Sequence, residues 1–109
     1  MRVVVLPEVV DYLIELSDIL YEKEYFGFEE TAIKYTDALF DAIQNELPHK
    51  SPKPAPPYFE RFGTGMYYAT FKWNKGTSWY VFFNIFRYDT EIIYYVRHIN
   101  NNHMIAQYL

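Results

Sequence analysis

The sequence predicts an α+β domain in which a pair of helices packs on one face of a mainly antiparallel sheet. Up to about residue 47, apolar side chains recur at helical spacing, whereas from residue 66 onward the sequence is typical of strands, with alternate residues on the two faces of a sheet. Residues 48–57, between the two parts, contain five prolines, which excludes a helix there. The predicted order is therefore strand, helix, helix, strand, strand, strand. A chain of 109 residues can bury one core, so this order is assigned to a single domain.

The N-terminal half is expected to contain one short strand and a helical hairpin. Residues 2–6 include three consecutive valines and no polar alternation, which is typical of a strand buried on both faces. Pro7 suits the first turn of a helix, where its missing N–H costs nothing. The first helix is predicted from Glu8 to about Tyr25, with a break at Gly27, and the second from about Phe28 to Leu47. Because only a short bend separates them, the two helices should lie antiparallel with their acidic faces outward in solvent.

Three antiparallel strands are predicted in the C-terminal half, joined by short turns. They are Met66–Trp73, Ser78–Arg87 and Glu91–Ile99, and the segment Asn74-Lys75-Gly76-Thr77 has the composition of a hairpin turn. The proline-rich residues 48–57 are interpreted as an extended loop. The tail, Asn100–Leu109, is expected to form a turn or a short helical stub. We expect the first strand to join the sheet beside one of these three, with the helices on one sheet face and the other face partly open.

Charge divides the chain into two unlike halves. Residues 1–47 carry three basic and eleven acidic side chains, whereas residues 48–109 carry seven basic and three acidic ones. The second half also holds 16 of the 23 aromatic residues. A basic surface rich in aromatic rings is what a nucleic acid or another polyanion needs. The alternative is that the aromatic residues form a structural core.

Composition also excludes several classes of site and location. The chain has no cysteine, which rules out disulfides, thiolate metal sites and cysteine nucleophiles. His98 and His103 have no third histidine or suitably spaced carboxylate near them, so neither a metal nor another cofactor is expected. The apolar start, Val3-Val4-Val5-Leu6, is too short for a signal peptide or a membrane span. We therefore expect a cytoplasmic protein without a membrane partner.

The candidate chemistry lies at the end of the chain. His103 and Tyr108 stand five residues apart, just past a predicted strand that carries Arg97. They offer an acid/base group, a phenol and a guanidinium that can hold a phosphate through two hydrogen bonds. RNA cleavage without a metal needs such groups, because a base must take the 2′-OH proton while cations stabilise the phosphorane and a donor protonates the leaving oxygen. For His103, the alternative is a hydrogen-bonding residue without a catalytic role.

Further cations are expected to hold phosphate on the open face of the sheet. They are Arg61, which lies between the proline-rich loop and the first of the three predicted C-terminal strands, Lys72 in that strand, and Arg87 in the second. Lysine and arginine side chains on one face would let the chain follow an RNA backbone.

Topology, length and tail together resemble the RelE/ParE superfamily of toxins from bacterial type II toxin–antitoxin systems. The likeness covers essentially the whole chain and is strongest in Trp79-Tyr80-Val81-Phe82-Phe83, in Tyr94-Tyr95-Val96-Arg97-His98-Ile99, and in the following His103 and Tyr108. The resemblance implies a ribosome-dependent mRNA endoribonuclease with His103 as the acid/base residue and Tyr108 as the terminal phenol. Arg61 and Arg87 would match its phosphate-holding residues loosely. The chain departs from that pattern in its net charge of −4 and in Met104, where such enzymes commonly have arginine or lysine.

Three functions follow from this resemblance. The first is cleavage of translated mRNA on the ribosome. The second is a ParE-like toxin that binds a protein target such as DNA gyrase, which suits the acidic charge and needs no catalytic residue. The third is a non-toxic family member that only binds a partner. In each case the resemblance implies a cognate antitoxin, which in this family wraps the toxin and covers exposed apolar grooves.

Overall fold

The computed structural model describes residues 1–22 and 29–109, and it confirms the predicted α+β class. The strands are β1 (Arg2–Val5), β2 (Lys53–Pro54), β3 (Tyr67–Asn74), β4 (Thr77–Tyr88) and β5 (Glu91–Asn101). The helices are α1 (Pro7–Glu22), α2 (Glu29–Glu46) and the short α3 (Asn102–Ile105), with 3-10 helices at Leu47–His49, Pro57–Phe62 and Ala106–Tyr108. The break predicted at Gly27, and the helix boundaries predicted at Tyr25 and Phe28, lie outside the described residues. None of the helices in these ranges has the length and hydropathy that a membrane-spanning helix needs.

The strands form one mixed sheet in the order β1-β5-β4-β3-β2. β1 runs parallel to β5, and the remaining neighbours are antiparallel. The first strand thus joins the sheet beside one of the three long strands, as predicted. It lies at the sheet edge, and only Val3 of its four residues is buried. The prediction that this strand is buried on both faces was wrong, because Val3 and Val5 pack in the main core whereas the opposite face carries the exposed Arg2 and the half-buried Val4.

The proline-rich segment, predicted as an extended loop over residues 48–57, contributes a short edge strand. The prediction that it contains no helix was wrong at both ends, because the 3-10 helices Leu47–His49 and Pro57–Phe62 overlap it and proline is tolerated in a first helical turn. Lys53 and Pro54 pair antiparallel with Tyr68 and Tyr67 of β3. The N–H of the next residue extends this pairing through a 2.9 Å hydrogen bond to a carbonyl just before β3. Proline is tolerated here because β2 is an edge strand, where a missing N–H interrupts no central ladder.

The main core lies between the helical hairpin and one face of the sheet. α1 and α2 pack against each other and contribute Leu13, Leu39 and Ile43, of which the last two are fully buried. The sheet contributes alternate residues of β3 and β4, among them Val81 and Phe83, which confirms the predicted alternation. Each fully buried aliphatic side chain of this kind contributes about 1.5–3 kcal/mol to stability.

A second, smaller core covers part of the opposite sheet face. Phe59, Met66, Phe82 and Ile105 are buried there, because the 3-10 helix before β3 and the C-terminal α3 fold over the sheet. Further along β4, Phe86 remains 44% exposed. The face predicted to be partly open is therefore closed around Phe82 and open around Phe86.

Candidate functional site

The candidate site forms where β5 continues beyond the end of β1. β1 pairs with Ile93–Val96 only, and the last contact is a 3.1 Å hydrogen bond from the N–H of Leu6 to the carbonyl of Val96. In the part of the chain that the structure describes, no strand pairs with Arg97–Asn101 on that side. The end of β5 therefore has one open edge.

A β-bulge lies at the start of this open edge. Phe82 of β4 pairs with His98, whereas the next residue, Phe83, pairs with Val96. Arg97 is thus the extra residue on β5. Bulges redirect the side chain of the extra residue and are common beside functional sites.

A cleft of about 440 Å³ opens at this edge, between the start of α1, the end of β5 and the 3-10 helix Pro57–Phe62. Its volume is in the range of small-ligand sites. Its polar side chains are two guanidinium groups, a carboxylate, an imidazole, a phenol and a carboxamide, from Arg61, Arg97, Glu8, His98, Tyr12 and Asn100. With two arginines against one glutamate, the cleft favours an anionic ligand.

A hydrogen bond at Nε fixes the side chain of Arg97. Its Nε donates a hydrogen bond to Oδ1 of Asn84, and Nδ2 of Asn84 donates to the carbonyl of Thr64 at 3.0 Å. Gly63 lies so close that a Cβ there would be 2.8 Å from Cδ of Arg97. Among the described residues, no hydrogen bond or ion pair engages the two terminal nitrogens of this arginine. Those nitrogens are therefore accessible to a ligand.

Arg61 is held in a similar way by different partners. Its Nε donates to the carbonyl of Tyr58 at 2.9 Å, and its guanidinium carbon lies 3.9 Å from the centroid of the Tyr58 ring. Tyr108 stacks on the same ring, with a centroid distance of 3.7 Å and an interplanar angle of 3°. Two groups this close to one ring occupy its opposite faces, so Tyr58 is held between Arg61 and Tyr108. The contacts described for residues 1–22 and 29–109 leave the terminal nitrogens of Arg61 without a partner as well.

The imidazole of His98 is stacked and partly buried beside Arg97. The centroid of its ring lies 3.8 Å from that of Phe62, at an interplanar angle of 4°. Burial lowers the pKa of His98, so the imidazole is neutral at neutral pH and has a lone pair for a proton. Tyr12, on the α1 wall of the cleft, shows the opposite effect. Burial, and secondarily the neighbouring Tyr35, raise the pKa of the Tyr12 phenol, which stays protonated and available as a donor.

The structure brings some of the predicted site residues together and separates others. Arg61 and Arg97 line one cleft, and Tyr108 stacks on the Tyr58 ring that Arg61 also contacts. His103 does not line this cleft. It is exposed, and its Nε2 lies 3.2 Å from Oγ1 of Thr77 at the β3–β4 turn. The predicted grouping of His103 with Arg97 and Tyr108 is therefore not observed.

Lys72 and Arg87 also lie apart from Arg61. Lys72 is exposed and pairs with Ser78 at the hairpin end of β3. Arg87 lies near the other end of β4, about 30 Å from Ser78 at the usual rise per strand residue. The three cations predicted to converge on one face therefore occupy separate places on the sheet and its flanking loop.

Local sequence patterns do not predict most of the cleft residues. These patterns do not identify Phe62, Glu8 or Tyr12 as site residues, and they indicate His98 only as a candidate metal ligand. One signal for His98 is present, since it directly follows Arg97 in a predicted strand. The start of α1 reaches the cleft only because β1 pairs in parallel with β5. Across residues 1–22 and 29–109, no three histidine, aspartate or glutamate side chains are grouped as metal ligands.

Comparison with known proteins gives no family assignment, because no protein-family model, no curated protein and no solved structure matches this chain. The protein is therefore classified only by its fold and its cleft, as an α+β domain with a two-arginine cleft suited to an anionic ligand. The likeness to RelE/ParE toxins rests on the sequence features given above, and the function it implies is a proposal.

Proposed function

We propose that this chain is the toxin of a type II toxin–antitoxin pair of the RelE/ParE kind, and that it cleaves mRNA on the ribosome in the cytoplasm. The observation that carries the proposal is the pair of arginines, Arg61 and Arg97, in one cleft. Each has its Nε bonded to the protein and its terminal nitrogens accessible, so each guanidinium is oriented before a phosphate arrives. Preoriented cations of this kind stabilise the negative charge that accumulates in a phosphorane.

The proposed reaction is attack of an RNA 2′-oxygen on the adjacent phosphorus. A base takes the 2′-OH proton, the O2′–P bond forms, and the P–O5′ bond breaks as the 5′-oxygen receives a proton. The products are a 2′,3′-cyclic phosphate and a free 5′-OH. In this scheme, Arg61 and Arg97 bind the non-bridging oxygens of the reacting phosphate.

The cleft offers one residue for each proton transfer. The neutral imidazole of His98 is the acceptor for the 2′-OH proton, and the protonated phenol of Tyr12 is the donor for the leaving oxygen. His103, to which the resemblance assigns the acid/base role, lies outside the cleft. The assignment of the base is therefore tested with both histidines in parallel.

The proposal is tested by inducing the chain in bacterial cells while measuring amino-acid incorporation and mapping the 5′ ends of mRNA. We expect translation to stop and mRNA to acquire new 5′-OH ends. Arg97→Gln and Arg61→Gln should relieve the arrest, because each removes a guanidinium but keeps a polar side chain. Arg87→Gln, at a residue that does not line the cleft, is the matched control and should remain toxic. Continued protein synthesis during growth arrest would overturn the proposal.

The same assay separates the two histidines. His98→Gln should relieve the arrest, and His103→Gln should leave it in place, because only His98 lines the cleft. Relief by His103→Gln alone would return the acid/base role to His103.

A second candidate is a protein-binding toxin of the ParE kind, and one observation favours it. Ile14 of α1 is 60% exposed and Tyr21 is 44% exposed, on a helix with five acidic and no basic side chains. These two residues share one helical face, which suits a protein surface better than RNA. Growth arrest with a DNA-damage response, intact mRNA and no dependence on Arg97 would select this candidate. Either toxin is expected to have a cognate antitoxin, and a folded chain without any phenotype would indicate partner binding alone.

A further inference from the structure

We propose that the cleft takes single-stranded RNA, and that the exposed ring of Phe62 stacks on an unpaired base next to the phosphate held by Arg61 and Arg97. This inference rests on the proposed function and adds to it a substrate class and a binding residue. Phe62 touches none of the reacting atoms in the scheme above, so its contribution is to binding.

The Phe62 ring is covered on one face and open towards the cleft. The covered face lies on the imidazole of His98, at 3.8 Å and nearly parallel. The ring is still 39% exposed and lines the cleft beside Arg61, the preceding residue. A planar base placed on the open face would continue the stack and remove apolar surface from water.

The Phe62 ring is also held in place from behind. His98 contacts Phe82 at a centroid distance of 5.5 Å, and Phe82 stacks on Phe59 at 4.3 Å. Phe59 in turn lies 6.4 Å from Phe62, which closes a ring of four aromatic side chains. Phe59 and Phe82 are fully buried in the second core. Little side-chain freedom is therefore lost when a base stacks on Phe62.

Stacking on Phe62 selects single-stranded RNA. A base within a duplex has both faces covered by its neighbours, whereas an unpaired base offers a free face to an aromatic side chain. The cleft, at about 440 Å³, has the size of a small-ligand site and admits an unstacked nucleotide rather than a duplex. Because Arg61 and Phe62 are consecutive, phosphate and base are bound by neighbouring side chains.

The test uses the full chain and a short 2′-O-methyl oligoribonucleotide, which blocks attack by the 2′-oxygen, with binding followed by fluorescence anisotropy. Phe62→Leu keeps an apolar side chain against His98 but removes the aromatic face, whereas Phe62→Tyr keeps that face. We expect Phe62→Leu to weaken binding by about fivefold to 150-fold, the range for one base–aromatic stack, and Phe62→Tyr to stay within about threefold of the wild type. Phe86→Leu is the matched control, since Phe86 is 44% exposed outside the cleft, and it should leave the affinity unchanged.

A second readout uses the wild-type chain only. With 2-aminopurine in the oligonucleotide, stacking predicts that its fluorescence is quenched on binding, and unchanged fluorescence would overturn the inference. The inference also fails if a folded Phe62→Leu chain binds like the wild type, or if a duplex of the same sequence binds equally well. In both cases the proposed function stands, provided that Arg97→Gln loses binding. Absence of RNA binding by the wild type overturns the inference, while the proposed function is judged separately by translation arrest on induction.

Discussion

Two glycines in the turn before β3 differ in what a side chain would meet. A Cβ on Gly63 would lie 2.8 Å from Cδ of Arg97 and 3.0 Å from Sδ of Met66, so one of these side chains would have to shift. Gly65 has a φ of +68°, and a Cβ there meets nothing within 4 Å. Alanine at the first position therefore disturbs Arg97, and alanine at the second strains only the backbone.

We expect Gly63→Ala to weaken RNA binding by about tenfold, because it displaces Arg97 and weakens a hydrogen bond to a charged phosphate. Gly65→Ala should keep the RNA affinity and lower the free energy of unfolding by about 1–2 kcal/mol, the cost of a left-handed backbone for an L-residue. Anisotropy titrations and urea denaturation of both variants check this. An equal loss of RNA affinity in the two variants would contradict the steric explanation.

His98 makes stability depend on pH in a defined direction. Burial lowers its pKa in the folded chain below the value of about 6.5 expected in the unfolded chain. The unfolded chain then binds the proton more readily, so protonation of His98 favours unfolding. The stability that depends on a neutral His98 is therefore complete above about pH 6.5 and is lost as the pH falls through the folded-state pKa. We expect the urea concentration at the unfolding midpoint of the wild type to decrease as the pH is lowered below about 6.5. In His98→Gln this decrease should be smaller. His103→Gln is the control and should follow the wild type. A His98→Gln curve as steep as that of the wild type would contradict the prediction.

For single residues, the chemical properties of a side chain could be predicted from the sequence, whereas its surroundings in the folded chain could not. Arg61 and Arg97 were predicted to hold phosphate because a guanidinium suits a phosphate in any fold, and both line the cleft. The difference between His98 and His103 could not be predicted, since it depends on Phe62 packing over one imidazole from a distant segment. Arg87 has suitable chemistry too, but its place along β4 separates it from the cleft.

Among the secondary-structure elements, the C-terminal stub (residues 102–109) is attached through one buried side chain, hydrogen bonds of Asn102 and His103, and the stack of Tyr108 on Tyr58. Ile105 is its only buried residue, at 5% exposure within the second core, whereas Met104 is 63% exposed. Asn102 adds two hydrogen bonds, one from the N–H of Ser78 at 2.9 Å and one to the carbonyl of Gly76 at 3.1 Å.

We expect Ile105→Ala to lower the free energy of unfolding by about 2–4 kcal/mol, because it leaves a cavity against the sheet. Amide hydrogen exchange over residues 102–109 should become faster at the same time. Met104→Ala is the matched control and should change stability by no more than about 0.5 kcal/mol. Unchanged exchange in the stub of Ile105→Ala would show that its polar contacts and the stack of Tyr108 on Tyr58 hold the stub instead.

The long elements were predictable because their periodicity is local, and the short β1 was predicted from its consecutive valines, whereas the two-residue β2 was not predicted. α1, α2, β3 and β4 each show several repeats of their apolar pattern in the sequence, and β5 contains a continuous run of apolar and aromatic residues at 92–96. β2 has only two residues, one of them proline, and its pairing with β3 leaves no alternation to detect. The bulge at Arg97 was missed because it is defined by the register of β5 against β4.

The charge of the whole molecule predicts how RNA binding responds to salt. The chain carries a net charge of −4, so the cations of the cleft act against an overall repulsion. If Arg61 and Arg97 together neutralise the one phosphate that they hold, the logarithm of the affinity should fall with that of the salt concentration with a slope of about −0.7. Lys72→Gln and Arg87→Gln should leave this slope unchanged, because neither residue lines the cleft. Titrations over a series of salt concentrations check this, and a slope steeper than about −3 would show that further cations bind the RNA.

Local patterns in the chain were sufficient for its architecture, because hydrophobic period, prolines and turn residues act on neighbouring residues. They named four candidate cations for an anionic ligand, of which Arg61 and Arg97 line the cleft and Lys72 and Arg87 do not. The location of the cleft was decided by tertiary contacts. Parallel pairing of β1 with β5 brings Glu8 and Tyr12 to the end of β5, and the packing of the 3-10 helix brings Arg61 and Phe62 to the same place. Alternation within one strand cannot encode which distant segment packs on it, because that choice depends on the shape and burial of the whole core.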